Sequence, residues 1–128
     1  MPTGEDARPA MLMVKPSWLI SEVSRLAHPL LAGQLAIAGS RGYHYRLLAA
    51  LAEFGPASQA SLGRHTGLDR SDVAAAVNEL AARGLVQRAP DPADRRRNVI
   101  SITPAGTAHL RRLDELLADV QDELLAFC

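Results

Sequence analysis

The chain has 128 residues, 48% of them hydrophobic, and its 14 Lys and Arg balance 14 Asp and Glu for a formal net charge of zero. That length supports one domain with its own core, with room for an appended helix but not for two domains, and the neutral balance excludes indiscriminate coating of nucleic acid. Cys128 is the only cysteine, which excludes an intrachain disulfide and a thiolate metal cluster.

Residues 1–15 lack caps and periodicity and are expected to be disordered. Glu5 and Asp6 stand where a signal peptide would be basic, and no apolar run approaches the roughly 20 residues of a membrane span, so the expectation is a cytoplasmic protein. Residues 16–40 read as a first helix. Pro16 suits its first turn, and Trp18, Leu19, Val23, Leu26, Leu30, Leu31 and Leu35 form an apolar stripe. Pro29 removes the bond to the Arg25 carbonyl, which predicts a kink or break near Arg25 to Pro29. Tyr43, Leu47, Leu48, Leu51 and Phe54 predict a second, buried helix ending at Gly55-Pro56. Ser58 caps a short third helix that Gly67 closes in the left-handed region. Asp69 caps a fourth, with Asp72 as a weak capping-box partner. On that helix Val73, Val77 and Leu80 fall at i, i+4 and i+7 and face the core. Arg70, Ser71, Ala74, Ala75 and Asn78 then face outward. Small residues at 74 and 75 let such a helix seat deep in a groove, while Arg70, Ser71 and Asn78 offer hydrogen bonds to base edges or phosphates.

Leu85 to Ala89 and Val99 to Thr103 are β-rich and flank Asp91-Pro92 and a polar tip, the signature of a hairpin. Asp94, two residues before Arg96, can bond its guanidinium and preorganise it for a narrow groove. Arg95 and Arg97 suit phosphates. Arg83, Arg88 and Arg95 to Arg97 crowd this segment, whereas Asp114, Glu115, Asp119, Asp122 and Glu123 form a solvated acidic stretch further on. Thr103 caps a long last helix with Pro104 in its first turn. Leu110, Leu113, Leu117, Val120, Leu124 and Phe127 alternate spacings of three and four, broadened by Leu116, as in helices that pack nearly parallel or antiparallel. The partner is another copy of the chain, the first helix of the same chain, or both.

Gly84-Leu85-Val86-Gln87-Arg88, then Asp91-Pro92-Ala93-Asp94-Arg95-Arg96, then Ile102-Thr103-Pro104-Ala105-Gly106 resemble the recognition-helix exit, wing and final-helix start of the multiple-antibiotic-resistance regulator, or MarR, family. The resemblance in element order runs from about Pro16 to the end. It implies a mainly α fold with a small β-hairpin: a winged helix-turn-helix domain over 41–103, with dimerisation helices at 16–40 and 104–128. It implies a homodimer on double-stranded DNA with a pseudo-palindromic operator, Arg70, Ser71, Ala75 and Asn78 at reading positions, Ser58 and Gln59 near phosphates, and Asp94 with Arg96 as the wing pair beside Arg95 and Arg97. By the same resemblance the protein is a repressor released by a small aromatic or phenolic effector, and Leu110, Leu113, Leu117, Val120, Leu124 and Phe127 serve dimerisation. Relatives continue into another dimerisation helix beyond the position of Cys128, so that region is read as truncated or as joined by fewer contacts. Gly63 replaces a usual alanine, which loosens the third helix.

An effector site in the family's arrangement falls among Trp18, His28, Tyr43, His44, Arg46 and His109. No two histidines share the i, i+4 spacing of a zinc site, Cys128 has no basic neighbour to activate it, and neither a nucleophile elbow nor a phosphate-binding loop is present. No metal, no cofactor and no enzymatic activity are expected. The rival reading is a winged-helix module that binds protein without DNA. It calls for an apolar outer face on the fourth helix and a wing without a basic tip, against which three consecutive arginines argue.

Overall fold

The computed structural model describes the backbone of residues 16–126 and the side chains of Arg25 and of residues 27–122. In chain order the elements are α1 (Pro16–Ile37), α2 (Gly42–Phe54), α3 (Gln59–Thr66), α4 (Arg70–Ala82), β1 (Val86–Pro90), β2 (Asn98–Ile102) and α5 (Pro104–Ala126). Segment 1–15 and Phe127 lie outside the described residues, as do the side chains of Trp18 and Leu124.

Periodicity builds the core as the sequence predicts. Leu47, Leu48 and Leu51 of α2 meet Val73, Val77 and Leu80 of α4, and Leu35, Leu62, Ile100, Leu113 and Leu116 join the same buried cluster. The long seam of α5 is thus partly spent within the chain. Leu113, Leu116 and Val120 are buried without a second copy, while Leu110 and Leu117 remain half-buried. The Gln34 side-chain amide donates to the Leu116 carbonyl at 2.9 Å and the Tyr45 hydroxyl to Asp114 at 2.7 Å, tying α1 and α2 to α5. That carboxylate, helped by burial, pushes the Tyr45 hydroxyl up to about 12.

Two details of the helices differ from expectation. α1 runs through Pro29 without the expected break, with Pro29 on the solvent-exposed side of the helix. Phe54 is 56% exposed instead of buried. As the last residue of α2 it lies past the turns that face the core, and its ring stacks on His65 of α3 at 4.2 Å.

The three N-cap signals form, whereas the reciprocal capping-box bond expected of the Asp72 side chain does not. Ser58 accepts from the Ser61 amide (3.2 Å), Asp69 from the Asp72 amide (2.8 Å) and Thr103 from the Gly106 amide (3.0 Å). Gly67, at φ 72, ends α3 with its amide on the Gly63 carbonyl and turns the chain into α4. A Cβ at Gly63 would meet nothing nearer than the Leu68 carbonyl at 3.5 Å, an ordinary contact. Gly63→Ala is therefore expected to raise stability by about 0.5–1 kcal/mol, since alanine loses less chain entropy in a helix. A lowered urea midpoint would contradict this.

The hairpin pairs antiparallel from Val86 opposite Ile102 to Pro90 opposite Asn98. Its first strand starts one residue later than the apolar pattern suggests, and its second ends one residue earlier. Leu85 belongs to the helix exit, its amide on the Leu80 carbonyl at 2.9 Å and its carbonyl held by the Thr103 amide at 3.1 Å. A further pairing was not legible in the sequence. Ala57, just before α3, exchanges both backbone bonds with Ile100 at 3.0 and 2.8 Å, stitching the start of α3 to β2.

Candidate nucleic-acid interface

The tip between the strands is folded by its aspartates. Asp91 accepts from the Ala93 amide at 2.9 Å and Asp94 from the Arg96 amide at 3.1 Å, two side-chain-supported turns, and the Asp91 amide closes the loop on the Arg97 carbonyl at 2.8 Å. Asp94 also takes the Arg96 guanidinium in a fork, Nε on Oδ1 at 3.1 Å and Nη2 on Oδ2 at 3.3 Å. The guanidinium, followed by the amide, holds the Asp94 carboxyl below the usual carboxylate range. The Arg96 side chain is 90% exposed yet held in direction, and Arg95 and Arg97 beside it are exposed. The tip is a solvent-facing cationic point whose central side chain is oriented by its own turn.

Ser58, Gln59 and Ala60 share one cleft with Arg96, Arg97 and Asn98. A second cleft runs between the two helices of the turn and is lined by Gln59, Ala60, Gly63, Arg64, Arg70 and Val73. The start of α3 thus borders both the tip end of the hairpin and α4. Along α4, Arg70, Ser71 and Asn78 are exposed and Ala74 and Ala75 half-buried. Two of these side chains have protein partners. Ser71 donates to Asp69 at 2.9 Å, and Asn78 accepts from the Arg88 guanidinium of β1. Arg64 and Arg88 are additions to the residues expected at this surface. A signal for Arg88 existed, because alternation along β1 puts it on the same face as buried Val86.

Arg83 leaves the basic cluster to which its place in the sequence assigned it. Its guanidinium turns back to the end of α1, donating to the Ala38 carbonyl (3.1 Å), the Gly39 carbonyl (3.0 Å) and the Ser40 hydroxyl (3.4 Å). A cation at the turn that closes a helix C-terminus is a favourable placement. One helical turn earlier on α4, Glu79 accepts from the Tyr43 hydroxyl at 2.5 and 2.7 Å and meets His44 Nε2 at 3.1 Å. His44 Nδ1 accepts from the Arg41 amide at 2.9 Å, so the ring proton sits on Nε2 and donates to Glu79. Ser40 completes the set through His109 Nε2 at 2.7 Å.

Of the residues considered for an effector site, then, Tyr43, His44 and His109 gather at this polar junction, while His28 and Arg46 are exposed at the surface. Glu79, Arg83, Ser40 and the Arg41 amide join them unforeseen. A glutamate in mid-helix reads as a solvated charge until the tertiary partners are known.

Burial holds both junction histidines below their ordinary value of 6.5, with Arg83 adding to the effect at each and Glu79 only partly opposing it at His44. The unfolded chain therefore binds protons more readily than the fold near and below that value. Stability is complete above pH 6.5 and declines as pH falls through 6.5 toward the lowered folded values. The urea midpoint is expected to drop between pH 7.5 and 5.5, with a shallower slope in His109→Gln; a flat wild-type profile would refute this.

Against this geometry the comparisons with known proteins agree. The MarR family model matches residues 40–97. A probable transcriptional regulator from Pseudomonas aeruginosa superposes with a TM-score of 0.76 at 31% identity, over 91% of this chain and 87% of that one. The PcaV transcriptional regulator from Streptomyces coelicolor, solved in complex with its natural ligand, gives 0.75 at 29% identity over 95% and 84%. The HTH-type transcriptional repressor NicR of Pseudomonas putida is 44% identical over 63 residues, 49% of this chain; the match spans 40% of that relative's length. The chain belongs to the MarR family of winged helix-turn-helix transcriptional regulators, which are not enzymes. Among the described residues no helix is long and apolar enough to cross a membrane.

Proposed function

We propose that the protein is a cytoplasmic homodimer that binds a pseudo-palindromic DNA operator and represses transcription until a small aromatic or phenolic effector releases it. The observation that carries the reading is the hairpin tip. An exposed arginine, oriented by Asp94 and flanked by two more, stands over a cleft shared with the start of α3, beside the exposed face of α4. Arg96 suits a narrow minor groove, Arg95, Arg97, Ser58 and Gln59 suit phosphates, and Arg70, Ser71, Ala75 and Asn78 suit the edges of the major groove.

Dimerisation draws on α1 and α5. Leu110 and Leu117 keep exposed surface, and Leu30 (42%) and Ile37 (61%) stand out on α1, so apolar area is left for a second copy. Leu113 and Val120 support that interface from within by fixing α5 on its own chain. Two reading helices held about 34–36 Å apart would meet successive major grooves on one face of a duplex. An effector acts by binding the released arrangement more tightly than the DNA-competent one. NicR is named a repressor and PcaV holds a natural ligand, which supports both halves of the reading.

The test is selection of bound fragments from the source genome, with and without small aromatic acids. An inverted repeat should be recovered, affinity should fall steeply with salt as arginines displace counterions, and at least one acid should abolish recovery. Recovery of unrelated fragments with a flat salt dependence would refute DNA docking; insensitivity to every acid would remove the effector.

A further inference from the structure

We propose that Asn78 and Arg88 form a composite contact that presents only hydrogen-bond donors and selects a guanine in the major groove. The inference rests on the DNA-binding reading and adds to it the base that one position of each half-site demands.

The geometry begins in β1. Val86 is buried, so Arg88, two residues on, shares its face and is turned toward α4. There its Nη2 donates to Oδ1 of Asn78, which is exposed on the outward face of that helix. A guanidinium has no acceptor, so the amide orientation follows from chemistry alone: Oδ1 is turned to Arg88 and the Nδ2 amino group is left to point elsewhere.

This changes what Asn78 can read. A free asparagine recognises adenine by accepting from N6 and donating to N7. With Oδ1 occupied, the accepting half of that pair is lost. Among the described residues no acceptor holds the Nδ2 group and no carboxylate pairs with Arg88. The pair therefore offers N–H groups from both side chains and one positive charge. Of the four bases only guanine shows two acceptors, O6 and N7, and no donor in the major groove; adenine mixes the two, cytosine leads with a donor, and thymine has one acceptor beside a methyl. Ala74 and Ala75, one turn back along α4, present only methyl groups, so the helix can approach closely enough for Asn78 to reach a base edge. A phosphate oxygen is also acceptor-only, and the experiment separates the two.

Operators are selected with the wild-type protein from random duplexes, and the recovered site is remade with the candidate guanine replaced by adenine or by 7-deazaguanine, which lacks the N7 acceptor. Wild type should recover one fixed G·C pair per half-site and lose about tenfold in affinity with either replacement. Asn78→Ala should lose a similar amount on the natural site and little more on the replaced ones. Arg88→Ala frees Oδ1 and should move the preference at that pair toward adenine, a change that mere loss of support would not produce. If Arg88→Ala and Asn78→Ala weaken all duplexes equally with base preference unaltered, the pair meets a phosphate and the inference fails. If the wild type selects no duplex at all, the DNA-binding reading fails and takes the inference with it.

Discussion

Gly106→Ala is expected to destabilise the fold by about 3 kcal/mol or more, because the new methyl has nowhere to go. A Cβ at this position would lie 2.0 Å from the Leu85 carbonyl oxygen, 2.8 Å from Ile102 Cγ1 and 3.0 Å from the Leu85 carbonyl carbon. Two of these are backbone atoms, which cannot rotate aside as a side chain can. The Leu85 carbonyl is moreover fixed by the Thr103 amide at 3.1 Å. Thr103 in turn donates its hydroxyl to the Gly84 carbonyl at 2.7 Å while accepting from the Gly106 amide. The first turn of α5 is thus locked to the exit of α4, and relief requires separating α5 from the hairpin. Urea unfolding followed by circular dichroism measures the effect. A midpoint equal to wild type would show that the close approach is dispensable, and Gly63→Ala, where space exists, is the control for adding a methyl as such.

Arg96→Ala should weaken operator binding by about ten- to a hundredfold, the range for losing one well-placed charged hydrogen-bonding group at an interface. With 90% of its side chain in water it contributes little to the fold, so the urea midpoint should stay within experimental error of wild type. Asp94→Ala is the informative companion. It leaves the arginine in place and removes the fork that aims it, so its loss in affinity should be smaller and appear chiefly as a faster off-rate. Equal binding by wild type and Arg96→Ala would take the hairpin tip out of the mechanism.

Much of this arrangement was legible in the sequence because it is written in local signals. Ser58, Asp69 and Thr103 mark helix starts through hydroxyl or carboxylate caps, Gly67 marks a left-handed stop, and the spacing of Asp91, Asp94 and Arg96 encodes a turn that bonds to itself. What was not legible is tertiary or carried by backbone alone. The pairing of Ala57 with Ile100 uses only main-chain groups, so no side chain announces it. Arg83 sits among arginines in the sequence but faces the carbonyls of the turn that closes α1, and Glu79 finds Tyr43 and His44 only after α2 and α4 pack. Phe54 has helical spacing with Leu47 and Leu51 yet lies beyond the last buried turn. Periodicity names the face of a helix but not where its neighbour stops.

The Ala57–Ile100 stitch bears on how a signal could travel. Since it binds the front of the helix-turn-helix to the inner strand of the wing, it favours these parts tilting together over their flexing separately. Regulation by reorientation would then leave each half of the target as legible as before, and change only the spacer length that two tilting heads accept between them.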